Sequence, residues 1–145
     1  MKIIVDSREQ RPLVFGCDSI RKKLHVGDYG AEFPAGTIYP VVFERKSIAD
    51  LFGTLTQGYD RFRKEINRAE IAKTRLIIAV EGSKEKVLKG YPHSARDPES
   101  IIKQLETIKT KYGVEHMFFG NRPAMANHIH DFFFVEYEKY INGQN

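Results

Sequence analysis

The sequence predicts an α/β domain, a mixed central β-sheet flanked by helices, and three features carry that expectation. Short apolar runs ending in charge, "KIIVD" and "VVFERK", read as strands near the start of the chain. The run "RLIIAVE" at 75–81 is apolar throughout, the pattern of a central parallel strand covered on both faces. From residue 47 onward, helical spacing of apolar residues alternates with short strands, an order that lays helices on the faces of one sheet.

The elements follow in order. "KIIVDSRE" gives a first strand that stops at Asp6, and "SIRKKLHVGDYG" a second, with "GDYG" as the turn at its end. "AEFPAG" is a further turn signal, and "TIYPVVFERK" a third strand, with Pro40 early enough for a bulge or an edge. A helix over 47–55 starts at the capping pair Ser47 and Asp50 and turns Ile48, Leu51, Phe52 and Leu55 inward. Gly58 ends it. A second helix over 59–74 carries the stripe Tyr59, Phe62, Ile66 and Ala69, with Arg61, Lys64, Arg68 and Arg75 as a basic ridge opposite. After the apolar strand, Asp97 and Pro98 open a helix that runs through Ile101, Leu105, Ile108 and Tyr112 and stops at Gly113. "VEHMFFG" is the last strand and "RPAMANHIHDFFFVEYEKYI" the last helix.

A chain of 145 residues suits one domain, taken here as 1–141 with a frayed tail at 142–145. The opening residues carry no long apolar stretch, so neither a signal peptide nor a membrane span is expected. The single cysteine, Cys17, excludes an internal disulfide framework and fits a reducing, cytoplasmic setting, nucleoid-associated in a prokaryote or virus. No base signature stands beside it to make a thiol nucleophile. A net charge of +4 leans toward a polyanionic partner.

The charged end of the third strand is the informative place. Residues two apart on a strand share a face, so Glu44 and Lys46 point one way and Arg45 the other. If Asp28, at the tip of the preceding strand, comes alongside Glu44, two carboxylates converge on one edge. Such a pair suits magnesium, which takes few protein ligands and keeps its waters. Lys46 is then placed to orient or deprotonate a water beside a phosphate. Asp6 is a candidate third acid, with Glu9 and Glu81 as weaker ones. Solvated strand ends and ordinary turns remain the bland reading for these acids, and Asp50 is equally accounted for as a helix cap. His128 and Asp131, one helical turn apart, lack a third ligand for zinc. Phe132, Phe133 and Phe134 cannot all face one side, which leaves apolar surface near Tyr137 and Tyr140 for a dimer seam.

"VDSRE", "VGDY", "FERKSIADL" and "RLIIAVEG" occur in an order and spacing that resemble the nuclease domain of the XPF-type structure-specific endonucleases, the archaeal Hef nuclease included. The shared signature is Gly-Asp, a gap, then Glu-Arg-Lys with Asp four residues on: Gly27-Asp28, Glu44-Arg45-Lys46 and Asp50. The resemblance spans nearly the whole chain. It implies a restriction-endonuclease-like (PD-(D/E)XK) fold and magnesium- or manganese-dependent hydrolysis of DNA phosphodiesters. It further implies that Asp28 and Glu44 are metal ligands and that Lys46 acts on the water. Asp6 would be an additional active-site acid. Arg8 and Arg45 would contact phosphate or brace the acids, and Asp50 would support from the helix. Arg61, Lys64 and Arg68 are the expected further DNA contacts.

The family cuts flaps, forks and splayed arms, and its nuclease domains often pair as dimers; repair, recombination and mobile-element replication are all open as this chain's pathway. The expectation is therefore an endonuclease acting on branched DNA, as a homodimer or with a partner subunit, using no small-molecule cofactor and no membrane. This chain lacks room for the helix-hairpin-helix modules and helicase found in family members, and its "TQGYDRF" departs from the family's Asn-Gly-Arg run. Its grip on DNA would come from its own surface, a partner or a second copy. The alternatives are a non-catalytic DNA-binding or scaffolding subunit, and a nuclease acting on RNA or unbranched ends.

Overall fold

The structure, a computed structural model, describes residues 1–143. Strands β1 (Lys2–Asp6), β2 (Ser19–Lys22), β3 (Tyr29–Phe33), β4 (Thr37–Ile38), β5 (Val41–Ser47), β6 (Arg75–Glu81) and β7 (Glu115–Phe119) form one sheet. Its order is β2-β1-β3-β5-β6-β7, with β4 paired to β3. β3 runs antiparallel to β1 and β5, whereas β5, β6 and β7 are mutually parallel. The expected mixed sheet is present, with β6 at the centre of its parallel part.

Alternation along each strand divides the core between the two faces. Val42, Leu76, Ile78 and Val80 pack with helices α1 (Ile48–Leu55), α2 (Tyr59–Ile71), α3 (Lys84–Leu88) and α4 (Pro98–Tyr112) on one side. Phe43, Ile77 and Ala79 pack with Met125, Ile129 and Phe133 of α5 (Arg122–Ile141) on the other. Phe43 is fully buried against Phe132 and Phe133, both edge-on, a geometry aromatic rings favour. Phe134 and Val135 remain exposed, so the three consecutive phenylalanines do split between core and surface. No helix of the described residues is long and apolar enough to cross a membrane.

Four sequence expectations need correction. "AEF" is not a turn: Tyr29–Phe33 is an inner strand whose ladder to β1 spans Lys2 to Val5. Its Gly30 and Ala31 weaken a local strand signal, but a small residue is what fits beneath Leu24 and Val42. The second expected strand stops at Lys22. The third is interrupted at Tyr39 and Pro40, leaving β4 and β5 as separate pieces. Finally, α2 ends at Ile71, because Lys73 takes a left-handed conformation and the Thr74 N–H closes onto the Ala69 carbonyl. Arg75 therefore leaves the basic ridge, opens β6 and pairs with Glu115 at 2.9 Å. The sequence reading also missed α3, a short helix capped by Ser83. Of the tail at 142–145, residues 144 and 145 lie outside the described residues, while Gly143 closes a turn onto Tyr140 at 3.2 Å.

Helix α1 begins with a complete capping box. The Ser47 hydroxyl accepts the Asp50 N–H at 3.0 Å and the Asp50 carboxylate accepts the Ser47 N–H at 3.3 Å. Ser47→Ala and Asp50→Ala are each expected to lower stability by about 1 kcal/mol in urea denaturation. Equal catalytic losses in the two variants would make Asp50 a cap alone; a loss confined to Asp50→Ala would give its carboxylate a part in the chemistry.

Candidate active site

Gly27 sets the geometry from which the site is built. Its φ of +82° lies in the left-handed region, and a Cβ there would meet Val42 at 2.8 Å. Only glycine lets the chain turn this tightly over β5. The next residue, Asp28, is then clamped from both sides. Its N–H donates to the Phe43 carbonyl at 2.8 Å and its carbonyl accepts the Asp6 N–H at 2.8 Å. Its carboxylate accepts the Arg45 N–H at 2.8 Å. The Tyr29–Phe43 pairing brings Asp28 alongside Glu44, so the two acids named from the sequence do converge. They meet across an antiparallel pair, Asp28 entering its strand as Glu44 nears the end of the other.

A third carboxyl joins them. Glu65, on the border between the apolar stripe and the basic ridge of α2, is in hydrogen-bond reach of Glu44. The sequence reading overlooked it. The available signal was its helical position, three residues after buried Phe62 and one before buried Ile66, which turns it toward the sheet rather than away. Glu44 is 8% exposed. Burial pushes its carboxyl far above the usual range, and the Glu65 hydrogen bond and the Asp28 and Glu65 charges push the same way. Lys46 offsets only part. Burial raises Asp28 as well, against hydrogen bonds to Glu44 and the Arg45 N–H that favour its ionised form. Without another cation, Glu44 keeps its proton and shares it with its acidic neighbours.

Lys46 lies on the same face, its ammonium 5.9 Å from the centre of the Phe62 ring. It lines two adjoining clefts of about 400 and 470 Å³. The smaller holds Asp6, Arg8, Asp28, Glu44, Glu65 and Arg68 among its walls; the larger runs between α1 and α2, past Asp50 and Arg61. Lys64 is exposed but lines neither cleft.

Several sequence candidates have other engagements. Both oxygens of Asp6 are taken, Oδ1 by the Leu24 N–H at 2.8 Å and Oδ2 by the Arg8 Nε at 2.9 Å. Burial raises this carboxyl, but Arg8 and the Leu24 N–H outweigh it and hold it below the usual range. Asp6 thus ties β1 to the loop before β3, and Arg8, which also reaches the Leu24 carbonyl at 3.1 Å, is spent on that tie. Arg45 points to the opposite face, as strand alternation requires. There its guanidinium bridges Glu9 at 3.3 Å and Glu81 at 3.6 Å, with Arg122 on the far side of Glu81 at 2.6 Å. Arg45, Glu9 and Glu81 therefore brace the strand ends. On α5, His128 packs edge-on against Phe43 and tilts against Phe119 instead of meeting Asp131.

Chemically, the rim concentrates negative charge. With Asp6 answered by Arg8 and Glu9 by Arg45, the carboxyls of Asp28, Glu44, Glu65 and Asp50 share their cleft with Lys46 and Arg68, and the Arg8 charge also reaches Asp28 and Glu65. A donor set of this kind suits a divalent cation. Among the described residues no group of three His, Cys, Asp or Glu side chains is arranged to enclose a metal. The fit is to an ion held by two adjacent carboxylates with water completing its shell, the manner magnesium prefers.

Comparison with known proteins bears on the family and the fold. The model of the ERCC4 domain matches residues 5–132. No curated protein matches the sequence. Among solved structures, XPF from Aeropyrum pernix is similar at 23% identity and a TM-score of 0.67, over 89% of this chain and 61% of that one. XPF from Aeropyrum pernix in complex with DNA is similar at 22% identity and a TM-score of 0.71, over 94% of this chain and 65% of that one. The chain thus spans under two thirds of the structures it matches, and at these identities the likeness establishes the fold.

Proposed function

The chain belongs to the ERCC4 domain family, and from that premise we propose that it is a divalent-metal-dependent endonuclease cutting DNA phosphodiesters, with branched DNA as substrate. One observation carries the proposal: half-buried Asp28 and buried Glu44 meet as an acidic pair beside the amine of Lys46, within the matched segment.

Asp28 and Glu44 would hold magnesium or manganese. When bound, such an ion polarises a phosphoryl oxygen and lowers the pKa of a water. The protein's own part is positional. The Lys46 amine reaches into the cleft, where it orients the attacking water and offsets phosphate charge. Glu65 faces the same space and accepts a hydrogen bond from that water. Arg68 lines the smaller cleft and Arg61 the larger, where they would contact backbone phosphates of the substrate. Asp6 and Arg45 hold the strand ends that carry the acids. Pairing with a second copy or a partner subunit across the exposed Phe134, Val135 and Ile141 of α5 belongs to the same reading, as does work in repair or recombination inside the cell.

The test is a panel of labelled fork, flap, four-way junction, duplex and RNA at one salt concentration, with and without magnesium or manganese. Cleavage of the branched substrates only with metal, lost in Asp28→Asn, is the expected result. Binding without product under either metal would make the chain a DNA-binding subunit instead, and cleavage of RNA or duplex alone would move the substrate class.

A further inference from the structure

The flank of α1 turned away from the acidic cluster carries a second concave surface. A cavity of about 470 Å³ lies beyond the ends of β5 and β6, lined by Ser47, Glu81, Lys86, Lys89 and Tyr91. A neighbouring cavity of about 310 Å³ shares Ala49 and Tyr91 with it and adds His93. Tyr91 therefore stands between the two, half-buried, with the His93 ring edge-on at 5.4 Å and Phe52 behind it at 6.1 Å.

Two properties point to a ligand. The first is rigidity. The segment carrying Tyr91 and His93 has no regular structure of its own, yet Arg96 pins it to both neighbouring helices. The guanidinium bonds the Leu55 carbonyl at 2.7 Å, the Ser100 hydroxyl at 2.9 Å and the Gln104 side chain at 2.7 Å. A surface loop held this firmly presents its rings in a fixed pose, which lowers the entropic cost of docking on them.

The second property is charge. Lys86 and Lys89 are exposed and make no salt bridge, whereas Glu81, the one acid of the larger cavity, is answered by Arg122 and Arg45. Glu85, the acid of α3, does not line either cavity. The surface is thus cationic with an aromatic centre.

We propose that Lys86, Lys89, Tyr91 and His93 bind a single-stranded arm of the DNA whose phosphodiester lies at the acidic cluster. Unpaired bases stack on aromatic rings while lysines track the backbone, and a duplex offers no exposed base face to such a platform. The distance suits one continuous strand. Glu44 and Ser47 are three residues apart on β5, about 10 Å at strand rise, or roughly three nucleotides of a stacked strand at 3.4 Å each. This inference rests on the endonuclease reading above and assigns the branch's unpaired arm to the α1 flank.

The experiment is fluorescence anisotropy of a labelled 20-nucleotide oligothymidine and of a blunt duplex of equal length, across a salt series without divalent metal. The double variant Lys86→Ala/Lys89→Ala is expected to bind the single strand about ten-fold more weakly and to flatten its log K against log salt slope by roughly 1.4. Tyr91→Ala is expected to lose at least five-fold. Because Tyr91 packs on Phe52, Tyr91→Leu serves as the fold-preserving control and is expected to lose affinity in the same direction. Unchanged single-strand affinity in the folded double variant and in Tyr91→Leu overturns the proposal, and so does an equal loss on blunt duplex. Separation from the endonuclease reading is direct. A parent chain that cuts forks while these variants bind normally sinks only this inference; a parent chain that never cuts, with binding lost in the variants, sinks only the cleavage reading.

Discussion

The Glu44→Gln variant is expected to lose DNA cleavage and, in metal-free buffer, to unfold at a higher temperature than the parent chain. Both effects come from one carboxyl. Its burial beside Asp28 and Glu65 raises its pKa in the folded state well above the ordinary glutamate value. The folded chain then binds a proton that the unfolded chain releases once the pH exceeds about 4.3. Stability from this group therefore falls as pH rises through the window between the unfolded value and the raised folded one, the reverse of a paired surface carboxylate. Glutamine is neutral at every pH and keeps the shape, so that slope disappears. The gain is expected at about 2 kcal/mol near neutrality and less toward pH 5. Melting temperatures of the two chains at pH 5, 6, 7 and 8 check it. A gap that stays flat or narrows with rising pH would show that Glu44 is not held protonated. Adding magnesium should stabilise the parent chain but not the variant, since only a carboxylate recovers its ionised form by binding the ion.

Removing Arg45 is expected to destabilise the fold by about 3 to 5 kcal/mol, because it leaves the buried Glu9 carboxylate without its cation. The side chains of Arg45 and Glu9 are 14% and 8% exposed. Burial works against the guanidinium charge, but the Glu9 hydrogen bond and the Glu9 and Glu81 charges more than repay it. In Arg45→Ala, Glu9 keeps the Arg11 N–H at 3.3 Å and the Tyr29 hydroxyl at 3.4 Å but no cation, and Glu81 keeps Arg122. Arg45→Lys restores charge without the planar fork and is expected to recover part of the loss. Urea denaturation gives these differences directly; a cost below about 1 kcal/mol would mean that the network is held by other contacts. A role in gripping DNA predicts something else, a shallower salt dependence of binding with little change in stability. Arg61→Ala and Arg68→Ala supply that comparison at sites where the guanidinium faces a cleft.

The lesson about legibility follows from these residues. Periodicity placed the buried faces of α1, α2 and α4 and the apolar centre of β6, since repeating apolar side chains register burial directly in the sequence. The Ser47–Asp50 cap was equally readable, being local by nature. β3 was hidden, because Gly30 and Ala31 look like a turn until Leu24 and Val42 are seen closing over Gly30 and Ala31 is seen buried on the other face. Glu65 was hidden for a related reason: its meaning depends on Glu44, 21 positions earlier in the chain. Element order and apolar periodicity thus determined the α/β class, and motif spacing raised the expectation that Asp28, Glu44 and Lys46 share one rim. Tertiary structure alone decided that Asp6 and Arg45 are tied up in internal bonds, that Glu65 completes the acidic group, and that Tyr91 stands over a cationic flank. Local sequence encodes which residues seek burial or water, but a charged group's role is fixed by which partners the folded chain brings within a few ångströms, and those partners are distant in sequence.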